Sequence, residues 1–255
     1  MSQRALVLTY HAIERGPAPL CIEPALFAEH LDAVLESGLE PVSLTRLADK
    51  LDSGGPAAPS VAITFDDGCA SVTEDAVPLL REREIPATVF CVAGHLGRLN
   101  DWPTEPSSAP RLRLASAAAL SEGAGGGIEI GSHGMTHLPL RLAAGPVLER
   151  EVRESHAVLE EAIGVAVDWF AHPGGATAGE RSRVVLRETY SGAVAGGNRA
   201  AGPGADRWAV PRVEMHYVRH PALLRRVLRG ESAYLALRRV GGRARRLMRR
   251  DYMSQ

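Results

Sequence analysis

The chain has 255 residues, with 29 Lys+Arg against 30 Asp+Glu, a formal net charge of -1, 45% hydrophobic and 23% charged residues. That balance is ordinary for a folded chain, excludes a mainly disordered one, and gives no support to a nucleic-acid partner. Cys21, Cys69 and Cys91 are an odd set without metal-type spacing, so they describe no disulfide framework and point to a reducing compartment.

The run Ala5-Leu6-Val7-Leu8 is too short for a signal peptide, and no apolar run reaches transmembrane length, so the expected location is cytoplasmic. Leu6 to Tyr10 predicts a buried strand that ends at His11. Pro24 to Ser37 predicts a helix with Phe27, Leu31, Val34 and Leu35 on one stripe and Gly38 at its stop. Glu40 to Leu44 reads as a strand, Thr45 to Leu51 as a helix, and 52–59 as a Gly/Pro/Ser-rich loop.

Val61 to Phe65 is a further strand, followed by Asp66-Asp67-Gly68. Ser71 with Glu74 has the spacing of a capping box for the helix that follows. Ala87 to Val92 predicts a strand, and Gly94 to Pro110, with Trp102 and three prolines, a long loop that either faces substrate or is a surface excursion. Leu114 to Leu120 reads as helix, Gly123 to Gly127 as a flexible break, and Ile128 to Ile130 as a strand leaving through Gly131-Ser132-His133-Gly134-Met135-Thr136-His137.

Pro146 to Ile163 carries a helical stripe of Leu148, Val152, His156, Leu159 and Ile163, in which His156 is a packing histidine. Val165 to Phe170 predicts a strand that opens into Ala171-His172-Pro173-Gly174-Gly175. Glu180 to Tyr190 is helical, and Ser191 to Ala195 and Ala209 to Val213 are the last strands. Alternation of strands with helices predicts a parallel sheet, and some eight strands in one domain predict a closed or nearly closed β/α barrel. His11, Asp66, Asp67, His133, His137 and His172 all follow strands, which in such a barrel is the active face.

His133 and His137, spaced H-x3-H, can turn both imidazoles toward one ion. With Asp67 they offer two nitrogens and one oxygen and leave positions open for water and substrate, as in catalytic zinc sites. Other divalent metals share these preferences. Asp66 would then remove a proton from metal-activated water, the Gly174 N–H would face a developing oxyanion, and a histidine on the opposite wall would protonate a leaving nitrogen. The reaction class is hydrolysis of an amide or ester. Each piece has a plain alternative: Asp-Asp-Gly is an ordinary turn, and H-x3-H arises by coincidence in a chain with nine histidines.

Thr64-Phe65-Asp66-Asp67-Gly68 and Ser132-His133-Gly134-Met135-Thr136-His137, in that order and separation, resemble the first two motifs of the polysaccharide deacetylase family, carbohydrate esterase family 4. The resemblance runs from about Leu6 to Arg212. It implies a single-domain α/β fold, a distorted, incomplete (β/α)7-8 barrel over 1–218, and removal of acetyl groups from N-acetylated sugars or glycans. It implies Asp66 as general base and Asp67, His133 and His137 as ligands of a divalent metal, with zinc first. Phe170-Ala-His-Pro-Gly-Gly175 is similar to one form of the third motif, with His172 for the usual tyrosine and no arginine; Arg212 is the expected substitute. The fifth motif, which supplies the general acid, is not recognisable near His216 and His220. Leu8-Thr-Tyr10-His11 resembles the opening strand of a permuted branch in which the N-terminal histidine is the acid, so His11 takes that part.

Two other classes fit parts of this pattern: a non-hydrolytic glycan-binding relative, and a non-haem iron oxygenase built on two histidines and a carboxylate. Residues 219–255 form an arginine-rich, apolar-interleaved segment expected to be helical. It is either packed on the barrel or laid on the inner face of a membrane as a peripheral contact.

Overall fold

Along the first strand, Leu6, Leu8 and Tyr10 bury one face and Ala5, Val7 and Thr9 the other, as required of a strand with helices outside it and a packed barrel within. The computed structural model describes residues 4–54, 58–104, 109–177, 179–231 and 233–237. Its strands are β1 (Ala5–Tyr10), β2 (Glu40–Pro41), β3 (Ser60–Phe65), β4 (Ala87–Cys91), β5 (Ile128–Ser132), β6 (Trp169–Ala171), β7 (Gly192–Ala195), β8 (Val210–Pro211) and β9 (Val213–Glu214). All paired strands run parallel, in the order β8-β7-β6-β5-β4-β3-β1-β9, with β2 beside β3.

β8 and β9 stand at opposite ends of that order, yet one residue, Arg212, separates them in the chain. The sheet therefore curls until its ends nearly meet. The expected α/β architecture, a distorted and incomplete barrel in one domain, is the one observed. Outside it lie α1 (Pro24–Glu36), α2 (Leu44–Asp52), α3 (Val77–Glu82), α4 (Ala117–Gly125), α5 (Pro146–Glu149), α6 (Ser155–Ile163), α7 (Glu180–Thr189) and α8 (Pro221–Leu228). Among the described residues no helix is long and apolar enough to cross a membrane.

Two clusters divide the core. The larger lies between the sheet and the helices; the smaller fills the barrel with Val7, Ala62, Phe90, Trp169, Ala171 and Val194. The bottom of the barrel is stopped by α2, whose Leu44, Leu47 and Leu51 belong to the inner cluster. The Trp169 indole N–H bonds Thr45 Oγ1 at 2.9 Å. Gly131 faces inward on β5 where space is shortest: a Cβ there would lie 2.5 Å from the Phe90 ring and 2.9 Å from the Trp169 carbonyl oxygen. Gly131→Ala is expected to lower stability by about 1–3 kcal/mol through overpacking. A thermal melt unchanged from the parent would show that the inner layer yields instead.

Several local expectations are corrected. The strand expected at Glu40 to Leu44 keeps only two residues, because Ser43 caps α2 by accepting the Arg46 N–H at 3.2 Å. Ser71 makes no capping box: its Oγ accepts the Ile13 N–H at 3.1 Å, and Glu74 pairs with Arg113 at 2.9 Å. α4 starts after Ser116 and runs through Gly123 and Gly125, the expected break. The strand expected at Val165 to Phe170 begins only at Trp169, since Val167 N–H is held by Glu160 on α6 at 3.2 Å.

The helix expected from Pro146 to Ile163 is continuous but contains a π-helical turn at Arg150–Glu154. The wider turn shifts the buried face, so Glu151 and Ser155 point inward. His156 stays half-buried, edge-on to Tyr190 at 5.2 Å. In the C-terminal region α8 packs on α1 through Leu224, Val227 and Leu228, and Arg225 pairs with Glu36 at 3.4 Å. The arginine-rich residues 238–255, including Leu247 and Met248, lie outside the described residues.

Candidate active site

Inward-facing positions continue past the strand ends, and this continuation builds the site. On β1 the inward series is Ala5, Val7, Thr9, and the next member is His11; on β3 it is Ala62, Thr64, then Asp66. On β5 it is Glu129, Gly131, then His133; on β8 it is Val210, then Arg212. Tyr10 pairs with Phe65 in the ladder, and Asp66 N–H bonds the Tyr10 carbonyl at 2.9 Å, so His11 and Asp66 emerge side by side.

Asp67 breaks the alternation. It takes φ +70, and Gly68 follows at φ +73, so the chain reverses and both carboxylates enter one cavity. Gly68 is required twice over: its backbone is left-handed, and a Cβ would sit 3.2 Å from Cys91 Sγ and 3.3 Å from Cys91 Cα. The cavity, of ≈ 450 Å³, is lined by His11, Asp66, Asp67, His133, His137 and Gly174 together with Glu214 and the rim residues His216 and Tyr217. The sites expected from sequence are thus brought together, with Arg212 buried beneath them.

Arg212 is 1% exposed and grips Asp66 with both ends of its fork, Nη1 to Oδ1 at 2.6 Å and Nη2 to Oδ2 at 2.7 Å. Burial by itself would raise the Asp66 pKa, but Arg212 and His133 outweigh it and hold the carboxyl well below the usual range. Burial likewise opposes the Arg212 charge, and Asp66 restores it.

Asp67 faces two imidazoles instead, with its Oδ1 3.7 Å from His133 Nε2 and 3.6 Å from His137 Nε2. His133 Nδ1 lies 2.8 Å from the Ala171 carbonyl, which only accepts, so Nδ1 carries a hydrogen and Nε2 is the nitrogen turned toward Asp67. His137 stands at φ +59, and burial followed by the neighbouring His133 pushes its pKa down to about 2, which keeps it neutral. Ligand atoms of Asp67, His133 and His137 all lie within 4.8 Å of one another. Two bonds of about 2 Å meeting at a tetrahedral angle place their ligand atoms about 3.3 Å apart, so the three residues fit a divalent cation with small adjustments.

His11 sits half-buried in the cavity. Burial disfavours its charge, yet Asp67, Asp66 and Glu214 prevail and raise its pKa. Glu214, brought beside β1 by the Thr9 pairing of β9, has a raised pKa of its own, from burial. Gly174 lines the cavity at φ +68. His172 does not line it: buried, it donates Nε2–H to the Trp208 carbonyl at 3.3 Å, and burial pushes its pKa down to about 4. His220 is also elsewhere, with Nδ1 accepting the Ala222 N–H at the start of α8.

Sequence reasoning missed Glu214, Glu151 and the role of Trp102. Glu151 is 2% exposed, and its carboxylate accepts the Met135 and Thr136 N–H groups at 2.9 and 3.0 Å, fixing the loop that presents His137. Its signal was available: a glutamate three residues after Leu148 and beside Val152 stands at the edge of the apolar stripe. The loop carrying Trp102 is mixed in its exposure: Arg98, Leu99, Asp101, Pro103 and Thr104 are exposed, and Trp102 itself is turned inward. Trp102 is buried against His137.

Acids, imidazoles and a buried guanidinium gathered at the C-terminal rim of a parallel barrel form the active-site layout of β/α-barrel enzymes. The chain belongs to the polysaccharide deacetylase family, whose model matches residues 53–190. It is 24% identical to YxkH of Bacillus subtilis (strain 168) over 214 residues, 82% of this chain and 70% of that one. It is also 24% identical, over 160 residues, to the poly-beta-1,6-N-acetyl-D-glucosamine N-deacetylase of Staphylococcus aureus (strain MRSA252), covering 60% of this chain. It spans about half the length of that relative, 53%. Among solved structures, IcaB from Ammonifex degensii superposes with a TM-score of 0.72 at 26% identity, over 87% of this chain and 97% of that one.

Proposed function

We propose that this protein is a metal-dependent deacetylase that hydrolyses the N-acetyl group of a sugar, glycan or glycoconjugate. The observation that carries the reading is the different setting of the adjacent carboxylates: Asp66 is gripped by Arg212, while Asp67 faces the Nε2 atoms of His133 and His137. A divalent cation held by Asp67, His133 and His137, with zinc best suited to two nitrogens and one oxygen, would lower the pKa of water and polarise the acetyl carbonyl.

Asp66, kept ionised by Arg212, accepts the proton of the attacking water. Arg212 also fixes the orientation of that carboxylate. His11, protonated more readily than an ordinary histidine, donates to the leaving sugar nitrogen. The Gly174 N–H faces the oxygen on which charge develops. The names of the Staphylococcus aureus relative and of the polysaccharide deacetylase family support an N-acetylated polysaccharide as the substrate class.

An oxygenase would give the Arg212-bound carboxylate no task, which favours hydrolysis. The three buried free thiols agree with a cytoplasmic location, and peripheral contact with the inner membrane face through 219–255 belongs to the same reading. The test is acetate release from N-acetylglucosamine oligomers. Chelation is expected to suppress it by at least about 100-fold and added zinc to restore it. Full turnover in chelator would remove the metal from the reading, and glycan binding without acetate release would identify a non-hydrolytic relative.

A further inference from the structure

The excursion between β4 and α4 has no part in the chemistry above, yet it touches both sides of the Asp67, His133, His137 triad. Trp102, 1% exposed, lies on the His137 ring with centroids 4.6 Å apart and planes at 28°. His95 backs the indole edge-on at 5.5 Å. Beside them the Thr104 hydroxyl donates to the His137 carbonyl at 3.2 Å, and the same oxygen lies 3.4 Å from His137 Nδ1. A hydroxyl has one proton to give. With that proton on the carbonyl, Thr104 meets the ring as an acceptor, so Nδ1 carries hydrogen and Nε2 turns its lone pair to Asp67.

The base of the same loop is tied to the acidic turn. Asn100, fully buried, accepts the Leu112 N–H at 2.7 Å and donates to the Pro110 carbonyl at 3.0 Å. The returning segment then bonds the residues after Asp67: Ala115 N–H to the Gly68 carbonyl and Ala70 N–H to the Arg113 carbonyl, both at 2.8 Å. One covalent segment therefore grips the imidazole at one side of the triad and the carboxylate turn at the other.

We propose that residues 93–104 and 109–115 form a clamp that sets the geometry of the metal site, with Trp102 and Thr104 as positioning residues for His137 and Asn100 as the tie to the Asp66-Asp67-Gly68 turn. The inference rests on Asp67, His133 and His137 holding a metal. The indole face favours an imidazole made more positive by a bound cation, and the Thr104 oxygen fixes its tautomer. Loss of an outer partner of a ligating histidine lowers metal affinity by about 10–100-fold.

The experiment measures zinc affinity of the apo protein by competition with a chromophoric chelator, and the d–d spectrum of the cobalt(II)-loaded protein. Trp102→Leu and Thr104→Val are expected to bind zinc about 10–100-fold more weakly and to change the cobalt spectrum, while Trp102→Phe and Thr104→Ser recover most of the affinity. Thr104 is exposed, so its variant is expected to keep the parent far-UV spectrum and melting temperature. Parental affinity and spectrum in both Trp102→Leu and Thr104→Val would overturn the clamp while leaving the metal site standing. A parent that binds neither zinc nor cobalt(II), like a His133→Ala control, would overturn the metal reading and the clamp with it.

Discussion

Replacement of Arg212 by methionine is expected to destabilise the protein by about 3–5 kcal/mol at neutral pH, because it leaves a buried carboxylate without its counter-charge. Acetate release should fall by about 100-fold or more, since the base loses both orientation and ionisation. The pH dependence follows from the shifts. In the parent, the folded-state pKa of Asp66 lies below its unfolded value of about 3.9. Its stabilising contribution is therefore present above that unfolded value and is lost only as the pH falls through the folded one.

Without Arg212, burial dominates and the Asp66 pKa moves upward. The variant should then recover stability relative to the parent as the pH is lowered and Asp66 protonates, and the acidic limb of its rate profile should lie at higher pH. Asp66→Asn combined with Arg212→Met removes the orphaned charge and should regain stability without activity. Denaturant titrations at neutral and acidic pH measure this directly. An Arg212→Met protein as stable as the parent, with an unmoved acidic limb, would show that Arg212 does not govern Asp66.

His11→Gln is expected to lower kcat by about 100- to 10,000-fold while leaving substrate binding largely intact, as befits loss of a general acid. Because the neighbouring carboxylates raise its pKa against burial, the alkaline limb of the parent profile should lie above the ordinary histidine range. The linked stability runs the same way: present in full below the unfolded pKa and lost as the pH rises through the folded one. Glu214→Gln should move that limb downward. His216→Ala, at the rim, and His220→Ala, at the start of α8, should retain turnover. Full turnover in His11→Gln with loss in His216→Ala would transfer the acid to the rim.

The motifs legible in the sequence were those whose partners lie within one loop. Asp66 with Asp67, and His133 with His137, are close along the chain, and strand alternation on β1, β3 and β5 already aims His11, Asp66 and His133 inward. The same alternation made the parallel barrel readable from apolar runs separated by helices. Short strands were less so: Ser43 and Glu160 ended or delayed pairing through individual hydrogen bonds that composition does not encode.

The tertiary structure decided what depends on closure. Arg212 reaches Asp66 across 146 residues of sequence because β8 and β9 bring the two ends of the sheet together at that one residue. Glu214 comes beside His11 by the same closure. Trp102 found His137 because Asn100 turned an aperiodic loop back onto the acidic turn. The sequence by itself determined which candidate groups reach the cavity, since each is set by local spacing and strand parity; the contacts that set Arg212, expected from the resemblance, and Glu214 and Trp102, which were not expected, against those groups were decided by the fold, since they join segments that no periodicity connects.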